Sequence, residues 1–182
     1  MTTALHSVQG VADGNHVIQS LGPYANEAAR LAATANAQGT TFSSVDLGRV
    51  ALQTDTFAAW MLVGLSPTRW KRVAGEAPIR PQSGAGAYTC TLDDAGALVA
   101  MTSASANAPT IPPNSSVAYA LGDEIMFEQV GAGLMTVTAG AGVTFEGNYT
   151  GSPSSAVSNG QGAVLCAKQR ILNTWCIFGR TT

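Results

Sequence analysis

Apolar and polar residues alternate with a period of two along most of this chain, and a helical period occurs once, near the start. Thr2 to about Ser20 is mixed in character, with Ala12-Asp13-Gly14-Asn15 as a turn signal, and fits a flexible arm or one short strand equally well. Gly22-Pro23 then opens an Ala-rich stretch to Gln38 in which Tyr24, Ala28, Leu31 and Ala35 fall at helical spacing. Pro23 suits a first helical turn and Gly39 a stop. From Asp46 the period changes. Leu47–Thr54, Ala58–Leu65 and a short segment through Trp70 and Val73 read as three strands joined by tight turns, a β-meander.

Gly75, Pro78, Pro81, Gly84 and Gly86 follow with few large apolar side chains, so residues 75–87 are expected to form a linker between a module over 1–74 and a second over 88–182. In that second module Tyr88–Leu92 and Ala97–Thr102 flank Asp93-Asp94-Ala95-Gly96, a hairpin signal. Pro109, Pro112 and Pro113 confine the next segment to an edge or a loop. Glu124–Val130, Leu134–Thr138 and Val143–Phe145 are strands separated by Gly131-Ala132-Gly133 and Gly140-Ala141-Gly142. Tyr149–Gln161 reads as a long polar loop, and Ala163–Ala167 with Trp175–Phe178 as a closing hairpin. The expected fold is mainly β: a short N-terminal helix with a β-meander, then an antiparallel β-sandwich or jelly-roll-like domain. Pro67-Thr68-Arg69-Trp70 and Leu172-Asn173-Thr174-Trp175 echo one another, each placing a Trp to plug one end of its sheet.

Composition narrows the function. Hydrophobic residues are 46% of the 182, enough for a buried core, but charged residues are only 11%, about half the usual share. Gly, Ala, Ser and Thr take their place. A surface so poor in charge is expected to meet other subunits. The net charge of −2 points neither to nucleic acid nor to an anionic membrane, and no apolar run approaches the ~18 residues of a membrane span. Met1-Thr2-Thr3-Ala4-Leu5-His6 lacks a basic segment followed by an apolar one, so synthesis in a cytosol with the cysteines starting as thiols is expected.

Candidate chemistry is sparse. His6 and His16 lie near the N-terminus with no ligand-spaced partner beyond Asp13 beside His16, which argues against a metal site and against a triad with a histidine base. Asp93-Asp94 at an expected hairpin tip and Asp123-Glu124 at a strand start read as solvated acids rather than a carboxyl pair around a cleft. Gly84-Ala85-Gly86 and Gly131-Ala132-Gly133 lack the following helix and the Lys-Ser/Thr of a phosphate loop. No catalytic residue, metal or cofactor is therefore expected. Arg69, Lys71, Arg72 and Arg80, opposed only by Glu76, form the densest basic cluster, readable as a guarded edge strand or as a docking patch for an acidic partner. Cys166 and Cys176 sit on the two strands of the closing hairpin, where buried free thiols or a disulfide both fit, and Cys90 is remote in sequence.

Two stretches resemble modules of tailed-bacteriophage virion proteins. The first is Asp46-Leu47-Gly48-Arg49-Val50-Ala51-Leu52-Gln53-Thr54-Asp55-Thr56 with Ala59-Trp60-Met61-Leu62 and Pro67-Thr68-Arg69-Trp70, similar to a small module of fibre and appendage proteins. The second carries Asp94-Ala95-Gly96, Pro109-Thr110-Ile111-Pro112, Gly122-Asp123-Glu124-Ile125, Gln129-Val130-Gly131-Ala132-Gly133, Thr136-Val137, Gly142-Val143-Thr144-Phe145 and Asn173-Thr174-Trp175-Cys176-Ile177-Phe178-Gly179. The resemblance implies a non-enzymatic subunit of the virion, made in the host cytoplasm, assembled as a homotrimer and contacting other virion proteins of the capsid or tail. It implies a capsid decoration or head-fibre subunit that stabilises or decorates the shell. The alternative is a tail-fibre or receptor-binding component that recognises host envelope glycans, with Tyr149 and Asn159 as candidate contacts.

Overall fold

Alternation makes strands only where one face finds something to pack on, and in the first half that something is a pair of tryptophans. The computed structural model describes residues 21–36, 39–66, 68–75 and 77–181, and the chain divides into two units, Met1–Glu76 and Ala77–Thr182. In the first unit, β1 (Val50–Gln53), β2 (Ala58–Leu65) and β3 (Thr68–Ala74) form an antiparallel meander in the order β1-β2-β3, as the sequence pattern predicts. Their inward residues Ala51, Ala58, Trp60, Leu62 and Trp70 are buried with Leu21. Tyr24 and Phe42 meet Trp70 edge-on at 5.6 and 5.8 Å between ring centroids, a favourable aromatic geometry.

The predicted helix over 22–38 is much shorter. α1 spans Glu27–Leu31, with the Asn26 side chain accepting the Ala29 N–H at 2.9 Å as its cap. Pro23 therefore lies ahead of the helix. Beyond Ala32, Asn36 closes a turn by accepting the Thr40 N–H on its side chain at 3.0 Å, which diverts the Ala-rich run from helix. The expected apolar stripe does not anchor α1, since Ala28 and Leu31 are exposed. Arg30 does: it is fully buried, its guanidinium 3.6 Å over the Trp60 ring, and its Nε donates to Gln53 Oε1 at 3.0 Å. The expectations for Thr2–Ser20, for the turn at Ala12–Asn15 and for His6 and His16 lie outside the described residues.

The second unit holds a six-stranded sheet packed on a five-stranded one. β4 (Ile79–Gln82), β6 (Leu98–Met101), β8 (Glu124–Gln129), β10 (Thr144–Glu146), β13 (Val164–Ile171) and β14 (Thr174–Gly179) form the first, in the order β10-β14-β13-β8-β6-β4. β5 (Gly86–Thr89), β7 (Asn107–Ile111), β9 (Thr136–Ala139), β11 (Gly151–Ser152) and β12 (Ser155–Val157) form the second, in the order β11-β12-β9-β7-β5. Inward side chains from both sheets, among them Val99, Phe127, Trp175, Ile111 and Val137, make one buried core. The molecule is mainly β, and a β-sandwich describes this unit.

From β4 to β9 the chain crosses between the sheets at every connection. β4, β6 and β8 consequently pair in parallel in one sheet, as do β5, β7 and β9 in the other, so each pair of strands is a winding laid on the previous one. Only the later strands β11–β12 and β13–β14 are hairpins. This corrects several local expectations. Asp93-Asp94-Ala95-Gly96 is not a hairpin tip: Leu92–Asp94 is a 3-10 turn carrying the chain from β5 in one sheet to β6 in the other. The expected linker 75–87 instead contains all of β4 and the start of β5, because parallel partners further along the chain complete the pairing that local sequence cannot supply. The expected loop 149–161 contains the β11–β12 hairpin, whose small residues pair as strands.

The prolines show how pairing direction decides tolerance. Pro78, just before β4, and Gln82 at its end accept from Leu98 and Thr102 of the β6 side, so Pro81 turns its missing N–H to the free edge. Pro109, contrary to the edge-or-loop expectation, sits in β7 between β5 and β9. Asn107 N–H donates to Leu134 and Ile111 accepts from Gly140, so residue 109 faces β9, and the β7–β9 ladder is interrupted there. A hydrogen bond from the Thr138 hydroxyl to the Pro109 carbonyl at 3.3 Å bridges the gap.

Candidate functional site

The basic cluster draws on both units. Arg69, Lys71 and Arg72 share β3 of the first unit, whereas Arg80 belongs to β4 of the second. On β3, Trp70 points into the core and Arg72 lies on the same side, opposite Trp60, where partial burial lowers its pKa. The Arg69 guanidinium lies over Gly64, in the space a Cβ would need. Lys71 is exposed, opposite Met61 on the outward face. That face also carries Val50, Leu52, Val63 and Val73, each more than a third exposed.

Arg80 is a structural cation. Its Nε lies 2.7 Å from Asp94 Oδ1, with the Asp94 side chain fully buried. The other carboxylate oxygen accepts the Tyr88 hydroxyl at 2.8 Å and the Thr91 N–H at 2.7 Å. The edge strands β4 and β5 of the two sheets are thereby clasped to the turn that follows them. Ser43-x-x-Asp46 in the first unit repeats the device: Asp46 accepts the Ser43 N–H at 2.9 Å and pairs with Arg49 at 3.0 Å. Both turns continue into a glycine with positive φ, Gly48 at 84° and Gly96 at 73°. The signal was present in the sequence as Ser/Thr-x-x-Asp-x-Gly, a capping box on a short turn.

The expectation of solvated acids at 93–94 is therefore overturned, since Asp93 and Asp94 are both buried. Asp123 caps its own turn by accepting the Ala120 N–H at 2.8 Å, and Glu124 pairs with Lys168 at 2.7 Å, a hydrogen bond that raises the lysine's pKa. No group of three His, Cys, Asp or Glu side chains placed to hold a metal occurs among the described residues. Of the glycan candidates, Tyr149 is half-buried against the core and its hydroxyl donates to the Ser152 carbonyl at 2.6 Å, while Asn159 is exposed with its backbone N–H bonded to Arg180. The cysteines are free thiols. Cys166 is opposite Phe178 and Cys176 opposite Lys168, so the two are diagonal rather than facing. Burial pushes Cys166 up to about 11 and Cys90 well above its ordinary value.

The outer faces of the sandwich differ. Across the five-stranded sheet, Ser155, Thr138, Thr110 and Thr89 align in one row, with the hydroxyls of Thr110 and Thr138 2.7 Å apart. Across the six-stranded sheet the register aligns Phe178, Cys166, Met126, Leu98 and Ile79. This apolar row was legible in Ile125-Met126-Phe127 and Trp175-Cys176-Ile177-Phe178, runs without alternation that mark strands apolar on both faces. No family model and no curated protein matches the chain.

Proposed function

We propose that this chain is a structural subunit on the surface of a tailed-bacteriophage particle, of the capsid-decoration or head-fibre kind, working by binding and without catalysis. The observation that carries the reading is that each unit turns an apolar sheet face outward: Val50, Leu52, Val63 and Val73 in the first, Phe178 to Ile79 in the second. Monomeric proteins rarely leave contiguous apolar patches open, and such faces serve assembly. The acids and the arginines that a catalytic or ligand site would use are instead engaged in turns and ion pairs, as Asp46, Asp94 and Arg80 are. The phage assignment rests on the sequence resemblance, and with it go the virion location, the homotrimer and the contacts with other virion proteins.

Purified protein incubated with bare heads and, separately, with host cells tests this reading. Saturable binding to heads is expected. Binding to cells alone would favour the tail-fibre, receptor-binding alternative and remove the decoration reading.

A further inference from the structure

We infer that the outer face of the six-stranded sheet is the surface on which a second copy of this chain docks. The inference deepens the function proposed above and rests on it only in that the chain works by assembly. Five of the six strands contribute one side chain each to the row Phe178, Cys166, Met126, Leu98 and Ile79. Its ends are open to solvent, with Ile79 68% and Phe178 47% exposed, and Val164 beside it is 39% exposed. The same unit dresses its other outer face with Ser and Thr, so the sequence distinguishes a face for water from a face for contact.

Addition at the sheet edges is the competing mode of association, and the six-stranded sheet blunts both of its edges. β10 has three residues, and β4 presents Pro81 to its free side. The face remains. Its charges favour a copy over a strongly charged partner: Lys168 pairs with Glu124 and Arg170 with Glu146, leaving Glu128 as the remaining acid on these strands. A second copy brings the same nearly balanced set, so two such faces meet without a block of like charge, around a two-fold axis. Five strand spacings of ~4.8 Å and three side-chain rows ~7 Å apart give a planar footprint of roughly 24 by 20 Å, about 480 Å² per copy, just under the ~600 Å² per partner at the low end of specific interfaces, so the contact belongs to the small, reversible class.

The test compares the full chain with Leu98→Lys, at the middle of the row, and with Ile79→Lys combined with Phe178→Lys at its exposed ends. Native mass measurement at micromolar concentration should show a closed oligomer for the parent chain, and either variant should raise the dissociation constant by about 30-fold or more. Maleimide labelling reports the surface directly. Cys166 and Cys176 should be protected in the parent oligomer and labelled in the variants, while Cys90, fully buried in the core, stays unlabelled in every folded sample. If Leu98→Lys exposes Cys90 it has unfolded, and the pair of end substitutions decides. A parent chain that stays monomeric, or variants that keep its mass and its thiol protection, would overturn the inference. An oligomer that fails to bind heads would remove the particle reading and leave this one standing.

Discussion

Asp94 gathers donors from three segments of the second unit: Arg80 of β4, Tyr88 of β5 and the backbone of Thr91 in the crossover turn. One buried carboxylate serves all three donors at once, which is why the substitution should act beyond one hydrogen bond. Asp94→Asn is expected to destabilise this unit by about 3 kcal/mol in denaturant unfolding, and a loss below ~1 kcal/mol would mean that a neutral amide serves these donors as well as the carboxylate does. A second residue-scale effect concerns protons. Desolvation by burial raises the pKa of Tyr119 and Tyr88 above the ordinary phenol value of 10.0 and that of Cys90 above 9.0, with the nearby Asp94 adding to each. The folded state therefore holds protons that the unfolded chain releases. Stability from these groups is complete below the unfolded values and declines as pH rises above about 9 to 10. In an alkaline titration, the phenolate absorbance of Tyr88 and Tyr119 should appear together with loss of the circular dichroism signal. Phenolate formation well ahead of unfolding would contradict the burial.

At the scale of elements, the windings explain the glycines. Gly131 and Gly133 lie in the connection from β8 to β9, and a Cβ on either would overlap the carbonyl of Ser103 or Ser105 in the connection from β6 to β7. Gly84, in the first such connection, has open space around its Cβ position. Gly133→Ala should accordingly cost about 1–3 kcal/mol through backbone displacement, whereas Gly84→Ala should be neutral or slightly stabilising. Thermal melts of the two variants check this, and equal effects would refute the stacked-turn account. Ser103-Ala104-Ser105 and Gly131-Ala132-Gly133 are thus the same corner in successive windings, whereas the first connection is two residues shorter and brings Gly86 level with Asn107. Most strands were legible from alternation, including the whole meander and the closing hairpin, because their inward residues repeat every second position. Partners were less legible. A capped turn such as Thr91–Asp94 looks alike in sequence whether it folds a hairpin or changes sheet, and β4, β5, β11 and β12 are built of small residues or prolines whose strand character comes from neighbours distant in sequence. The helix was overread for the opposite reason, since alanine spacing suggested a length that Asn36 and its turn prevent. Of the site, the charge shortage was visible, but the pairing of Arg80 with Asp94 depended on which strands pair.

For the molecule as a whole, a chain with 11% charged residues places its few ions where they hold turns and edges, and leaves sheet faces to carry contact. Each unit closes its own ladders. In the second, β4 is the first strand and begins at Ile79, with Pro78 already accepting the Leu98 N–H, so pairing in this unit starts at residue 78. Ala74, Gly75 and Ala77, just before it, are exposed. These are the small residues that an elastase-type protease accepts, and a nick there removes no ladder hydrogen bond from the second unit. Limited digestion is therefore expected to release a fragment beginning near residue 75–78. That fragment should keep the near-ultraviolet signature of Trp175, which packs edge-on to Tyr119 at 5.1 Å, and should melt within a few degrees of the same unit in the intact chain. Cleavage after Ser83 or Ala85 instead would show that β4 opens easily from β6. A fragment cut at the expected place but lacking the tryptophan signature would mean that the core of Phe127, Leu165 and Trp175 needs more than its own strands.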